Sequence, residues 1–212
     1  MMIRTLMILL LGFLTLQAWA RPLDADTLLT RHWEATSQLE DVKSKANLNL
    51  NVLLGVLPYS EKLNGRYFYQ KPNRHKLEFD NAPAYLEKAP SLFKWDLPST
   101  EKYKTKILQH TDENSHHLLF LPKNGQSSTL SIKCIFDAEN YRLLSQETTY
   151  RDGGTVNLSF IYKDGTQLPV LEKVEAKVTI PSYSLTGGAT ITFSGQEVNQ
   201  GLDESVFQKT DA

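Results

Sequence analysis

A single cysteine, Cys134, stands in the 212-residue chain, so no disulfide forms within it and the fold must rest on its apolar core. An excess of one charge is also lacking: 23 Lys and Arg face 24 Asp and Glu, a balance that argues against nucleic acid or another polyanion as partner. No Gly-x-Ser-x-Gly elbow, phosphate-binding glycine loop or catalytic carboxylate pair occurs, which makes an enzyme the weakest class and gives no catalytic residue to name. After position 20 no segment approaches the roughly 20 apolar residues of a membrane-spanning helix. Low-complexity linkers and internal repeats are missing too.

The beginning of the chain is different. Arg4 precedes an unbroken apolar run from Leu6 to Leu16, and Ala18-Trp19-Ala20 stands before Arg21. This is the pattern of a cleaved secretory signal over residues 1–20, and it predicts export to the periplasm. Residues 21–212 are then expected to form a single domain, a length that buries about 70% of the unfolded surface. No cysteine follows the cleavage site, which argues against a lipid-anchored form.

Asp24-Ala25-Asp26 is a helix start with negative charge where the dipole favours it. Leu28, His32, Ala35, Leu39 and Val42 recur at helical spacing, with Leu29 and Trp33 widening the stripe, so a helix is expected from Asp26 to Asp41. Thereafter the period becomes 2. Ala46 to Val52 alternates apolar residues with Asn, and a hairpin follows from Leu63 to Pro83, turning at Pro72-Asn73. Its return strand sets His75, Leu77 and Phe79 against Arg74, Lys76, Glu78 and Asp80.

Further alternation runs through Leu130 to Phe136, Val156 to Tyr162, Val174 to Ile180 and Ala189 to Phe193, with turns at Asp152-Gly153-Gly154 and Asp164-Gly165. Tyr103 to Gln109, His116 to Leu121 and Tyr141 to Tyr150 read as strands of less regular pattern. Ala82 to Ser99 holds three prolines with Tyr85, Leu86, Leu92, Phe93 and Trp95, and predicts short helical turns packed by aromatics. The total is about nine to eleven antiparallel strands, a mainly β chain.

Nearly every strand is apolar on one side only, so the sheet owns a large hydrophobic face. One helix covers a strip about 10 Å wide and cannot hide strands spaced about 4.8 Å apart. The sheet must therefore curl on itself into an incomplete barrel, with the helix and the proline-rich segment over the open side. Its interior is either a filled core or a cavity for an apolar ligand, and spacing alone leaves both open.

Gly65-Arg66-Tyr67-Phe68-Tyr69 followed by Lys71-Pro72-Asn73 resembles the hairpin of the periplasmic lipoprotein carrier LolA and its outer-membrane lipoprotein-sorting superfamily. Leu119-Phe120-Leu121-Pro122-Lys123, the Asp152-Gly153-Gly154 turn and the tail through Gly201 to Phe207 follow in that family's order. The resemblance implies a half-open barrel whose cavity receives acyl chains of lipoproteins or other lipids. It also implies a monomeric carrier or chaperone without cofactor, meeting an inner-membrane donor and an outer-membrane acceptor. Lys71 replaces the family's usual Arg, which keeps the charge and loses the planar fork. The alternative within the same fold is a non-enzymatic lipid-sensing module like the RseB regulators of envelope stress.

The residues expected to line a lipid cavity are Leu48, Leu50, Val52, Tyr67, Leu77, Phe79, Leu130, Ile132, Phe136, Leu158, Phe160, Val178, Ile191 and Phe193. Lys71, Trp33, Leu92, Phe93 and Trp95 are expected at its rim or lid. For any one of the apolar set, ordinary core packing is the competing role. His110, His116 and His117 invite a metal reading, but neighbouring strand residues face opposite ways and no Cys or acidic ligand shares their spacing, so no metal site is expected. Cys134 alternates with Leu130, Ile132 and Phe136 and reads as a buried, inert thiol.

Overall fold

A computed structural model describes residues 23–82, 95–108 and 112–207. The expected leader, most of the proline-rich segment with Leu92 and Phe93, and His110 lie outside the described residues.

Asp24 starts the first element as expected, its Oδ1 accepting the Thr27 N–H at 2.7 Å. The helix it caps, α1 (Ala25–Thr36), is shorter than the periodicity suggests. Ser37 ends it, with both its N–H and its hydroxyl bonded to the Glu34 carbonyl at 3.1 and 2.6 Å. Such back-bonding by Ser and Thr competes with a further helical turn. Leu39 and Val42 prolong the helical spacing by coincidence: both are buried, Leu39 from the link and Val42 from the first strand.

Ten strands follow: β1 (Asp41–Leu54), β2 (Leu57–Gln70), β3 (Arg74–Phe79), β4 (Tyr103–Leu108), β5 (Ser115–Pro122), β6 (Thr129–Asp137), β7 (Leu143–Tyr150), β8 (Thr155–Tyr162), β9 (Leu171–Ile180) and β10 (Leu185–Val198). They form one antiparallel sheet in the order β3-β2-β1-β10-β9-β8-β7-β6-β5-β4. The edge strands β3 and β4 do not pair, so the curved sheet stays unclosed, as its apolar face predicts. Residues β-branched or apolar on one face and Asn, Thr or Lys on the other suit a pleat wet on one side.

Two departures concern the first strands. β1 begins at Asp41 instead of Ala46, because Ser44 occupies a buried inward position and its polar side chain masks the alternation. The stretch before Leu63, to which alternation assigns no element, is the first half of β2, joined to β1 by a two-residue turn at Gly55-Val56. Gly55 has φ +64°, which a tight hairpin of the primed types needs at its first turn position. The β2–β3 hairpin is as expected, and Gly65 explains its closeness: a Cβ there would lie 2.0 Å from the Glu78 carbonyl oxygen.

The inward residues of the strands join α1 in one core, with Phe120, Phe136, Leu118 and Leu28 fully buried. Leu130 is a correction. It shares the parity of Ile132 and Cys134 but stands at the start of β6, beside a register shift, and is 47% exposed. The short turn Glu204–Phe207 covers the outer face of β2 and β3, where the Arg74 guanidinium sits 4.5 Å from the Phe207 ring centre and the Lys76 ammonium donates to the Val206 carbonyl.

Candidate ligand cleft

A half-enclosed cleft opens on the concave side, where the start of β1 meets the end of β2, and its volume is about 80 Å³. α1 contributes His32, Trp33 and Thr36; β1 and the link before it contribute Val42 and Leu39; the β2–β3 hairpin contributes Tyr67, Tyr69, Pro72, Asn73 and His75. Trp95 and Leu97 come from the connection before β4. Leu143, Phe160, Tyr162, Pro169 and Leu171 complete the wall. Ligand pockets commonly measure about 300–1,000 Å³, so side chains largely fill the interior in this conformation.

The wall is aromatic and uncharged. Trp95 contacts Tyr67 and His75, with ring centres 6.0 Å apart in each case, and Phe160 at 6.4 Å. Tyr67 Oη and His75 Nδ1 share a hydrogen bond at 2.9 Å. Burial drives the His75 imidazole down from 6.5 to about 3, so the ring is neutral. Burial also lowers His32, whose Nδ1 lies 2.9 Å from the Tyr141 carbonyl. The Tyr67 and Tyr162 phenols are pushed well up by burial, and Tyr69 rises to about 12 for the same reason with help from Glu40. Tyr162 Oη donates to the Leu143 carbonyl at 2.8 Å.

One polar atom of this wall is unsatisfied. Trp95 is 3% exposed, and its indole Nε1–H has no hydrogen-bond partner among the described residues. A buried donor left unpaired costs about 1–3 kcal/mol. A ligand oxygen reaching it would recover that cost, and a carbonyl oxygen is a suitable acceptor.

Of the residues expected to line a cavity, the structure brings Tyr67 and Phe160 to the cleft, and of the rim set it brings Trp33 and Trp95. Leu48, Ile132, Phe136, Leu158, Val178, Ile191 and Phe193 are buried core, while Leu50, Val52, Leu77 and Phe79 are half-buried. Lys71 is next to the cleft and is engaged: its ammonium donates to the Ser37 carbonyl at 2.8 Å and pairs with Glu40 at 2.9 Å. It ties the hairpin turn to the end of α1. Tyr69, His75 and Tyr162 went unnamed as liners although each follows its strand's inward parity, and that parity was the available signal.

The remaining candidates lie elsewhere. The His116 ring stacks on Tyr141 with centres 5.7 Å apart, and His117 Nε2 is 3.0 Å from Ser115 Oγ. Among the described residues no group of three His, Cys, Asp or Glu is placed to hold a metal. Cys134 is fully buried and its thiol is pushed up by burial. A second recess of about 340 Å³ on the outer face, lined by Asp41, Lys43, Arg66 and Glu197, is a seam under the C-terminal segment. There the buried Asp41 carboxylate accepts the Gln200 and Gly201 N–H groups at 3.1 and 3.0 Å.

No family model matches the sequence, and no curated protein matches it. Solved structures do. An outer membrane lipoprotein-sorting protein domain from Vibrio parahaemolyticus superposes with a TM-score of 0.59 at 13% identity, over 84% of this chain and 93% of that one. A LolA superfamily protein from Nitrosomonas europaea gives 0.56 at 9% identity, covering 88% and 98%. A DUF1329 family protein from Desulfovibrio piger gives 0.54 at 10% identity, covering 85% and 94%. The unclosed antiparallel sheet with its helix on the concave side is thus the LolA-like fold.

Proposed function

We propose that the protein is a periplasmic carrier that holds an acyl chain of a lipoprotein or another lipid against the concave face and moves it toward the outer membrane. The observation that carries this reading is the cleft: apolar, aromatic, free of ionised side chains, and equipped with one buried indole N–H that has no partner among the described residues. Each CH₂ taken out of water is worth about 0.8 kcal/mol, so an acyl chain needs no ionic contact to bind. The Trp95 N–H adds a preference for a chain carrying an ester or amide carbonyl.

Because the cleft is small beside a whole chain, loading requires α1 and the Trp95 segment to part from the sheet. Tyr67, Phe160, Trp33 and Trp95 would meet the ligand first, and the deeper residues such as Leu158, Ile191 and Phe193 would line its path. The likeness to a lipoprotein-sorting domain and to a LolA superfamily protein supports this assignment, as does the leader-like start of the sequence.

The test is titration of the purified protein with a fluorescent fatty acid, together with extraction and analysis of co-purified lipid. Saturable binding that falls at least about tenfold in Trp33→Glu, a change at a cleft residue that is partly open to solvent, with the fold retained by circular dichroism, is the expected result. Absence of both bound lipid and saturable binding overturns the reading. A transfer assay between two membranes separates delivery from mere sensing, since a sensor binds without delivering.

A further inference from the structure

The far end of the sheet carries a second feature that the cleft does not use. The β1–β2 turn projects Val56, 90% exposed, and Leu57, 69% exposed, flanked by the exposed Leu53 and Leu54. The β9–β10 connection lies beside it, because Leu54 pairs with Leu185 and the Gly55 N–H donates to the Ser184 carbonyl at 2.7 Å. That connection adds Tyr183, 75% exposed. The two turns thus form one continuous apolar ridge, of the kind that single exposed residues scattered over a surface do not make.

The ridge is also free of charge. From Leu50 to Ser60, and again from Thr179 to Gln196, there is no acidic, basic or histidine residue. The first charged groups behind it are Lys62 and Lys177 on the outer face, Glu61 on the inner face, where the Tyr59 hydroxyl holds it, and Asp152 bonded to Ser182. Charges set against one another steer and register protein partners, and this ridge offers no charged group.

Part of its backbone is already paired. Leu54 pairs with Leu57 across the turn, the Gly55 and Ser184 N–H groups are bonded within the ridge, and Pro58 and Pro181 have no N–H to lose. Paired backbone is the condition for entering hydrocarbon, where an unpaired peptide group has no water to turn to. A tyrosine at the edge of an apolar tip suits the headgroup boundary.

We propose that this double-hairpin ridge inserts into the interfacial layer of a phospholipid bilayer, with Val56 and Leu57 entering the acyl region and Tyr183 at headgroup level. Because the ridge is neutral, adhesion depends on apolar burial and is insensitive to salt.

The experiment uses the chain from Arg21 onward, which contains every described element and lacks the Leu6–Leu16 run. It is floated with vesicles of phosphatidylcholine alone and of phosphatidylcholine with phosphatidylglycerol, at low and high salt. The protein is expected to float with both at either salt. Val56→Glu with Leu57→Glu should lower the bound fraction at least about tenfold, since each apolar side chain kept from water is worth about a factor of ten. Melting temperature and fatty-acid titration should not change. Val56→Trp should show blue-shifted emission on adding vesicles. Equal flotation of parent and double variant overturns the proposal, as does a parent that stays in the aqueous phase. Self-association that the double variant abolishes, without flotation of the parent, would make the ridge a contact between copies and also overturn it. Adhesion does not need an occupied cleft, so this test and the ligand test fail separately.

Discussion

The same strand builds both ends of the molecule and meets opposite surroundings at each. At its start Val42 is 3% exposed beneath the link from α1, facing the cleft with Tyr69 opposite in the ladder. Leu48 is still buried, Leu50 and Val52 are half-buried, and Leu54 at the far end is 46% exposed. The strand runs for 14 residues, about 45 Å of extended chain, and from Ala46 to Val52 its alternation is unbroken while burial fades. The inward-facing pattern is therefore a statement about which side chains share a face. Whether that face is dry depends on what lies across from it, and among the described residues α1 and the Trp95 segment cover it at one end.

If the cleft end supplies stability and the ridge end only contact surface, substitutions at the two should differ sharply. The largest effect is expected from Phe160→Ala, which empties a buried site in the cleft wall and should cost about 3–5 kcal/mol by urea unfolding. A cost below about 1 kcal/mol would mean that the wall is already loose.

A middle-sized effect concerns acid. His75 is neutral when buried, with its pKa lowered from 6.5 to about 3, whereas the unfolded chain protonates near the ordinary value. The unfolded state then binds more protons, so stability is complete above pH 6.5 and is lost as pH falls toward about 3. The slope from this group is at most about 1.4 kcal/mol per pH unit. His32 acts in the same direction. His75→Gln should flatten the fall in melting temperature over that window, and an unchanged profile would show that His75 is not the group responsible.

The smallest effect belongs to the ridge. Val56→Ser removes an apolar side chain that is almost wholly exposed and should change unfolding free energy by no more than about 0.5 kcal/mol. A larger loss would show that the ridge is part of the folding core, and would erase the contrast between the two ends.

Much of this arrangement can be read from period and turn chemistry. Leu48, Leu158, Phe160, Val174 and Ile191 alternate with polar partners, and each is buried. The Pro72-Asn73 turn and the Asp24 cap stand where local chemistry puts them. Ser44 and Gln146, both buried, break the rule that inward positions are apolar, and Ser44 is why alternation marks the strand only from Ala46 although β1 starts at Asp41. The cleft was only half legible. Parity identifies the inward residues, but which of them border a gap depends on where the β3–β4 connection brings Trp95 and Leu97, and this is a matter of tertiary path. Leu130 fails for the opposite reason: it has the right parity but stands at a strand end beside a register shift, where it is exposed.

The placing of tryptophan has a practical consequence. The chain has three Trp residues; Trp19 falls within the expected leader, and the other two, Trp33 and Trp95, both line the cleft. One is partly open to solvent and the other is buried against histidine and phenylalanine rings. A chain beginning at Arg21 therefore carries its own optical probe, with both of its indoles at the candidate binding site. Arrival of an unlabelled lipid should register as a change in intrinsic emission, and Trp33→Phe and Trp95→Phe would separate the signal of the mouth from that of the floor.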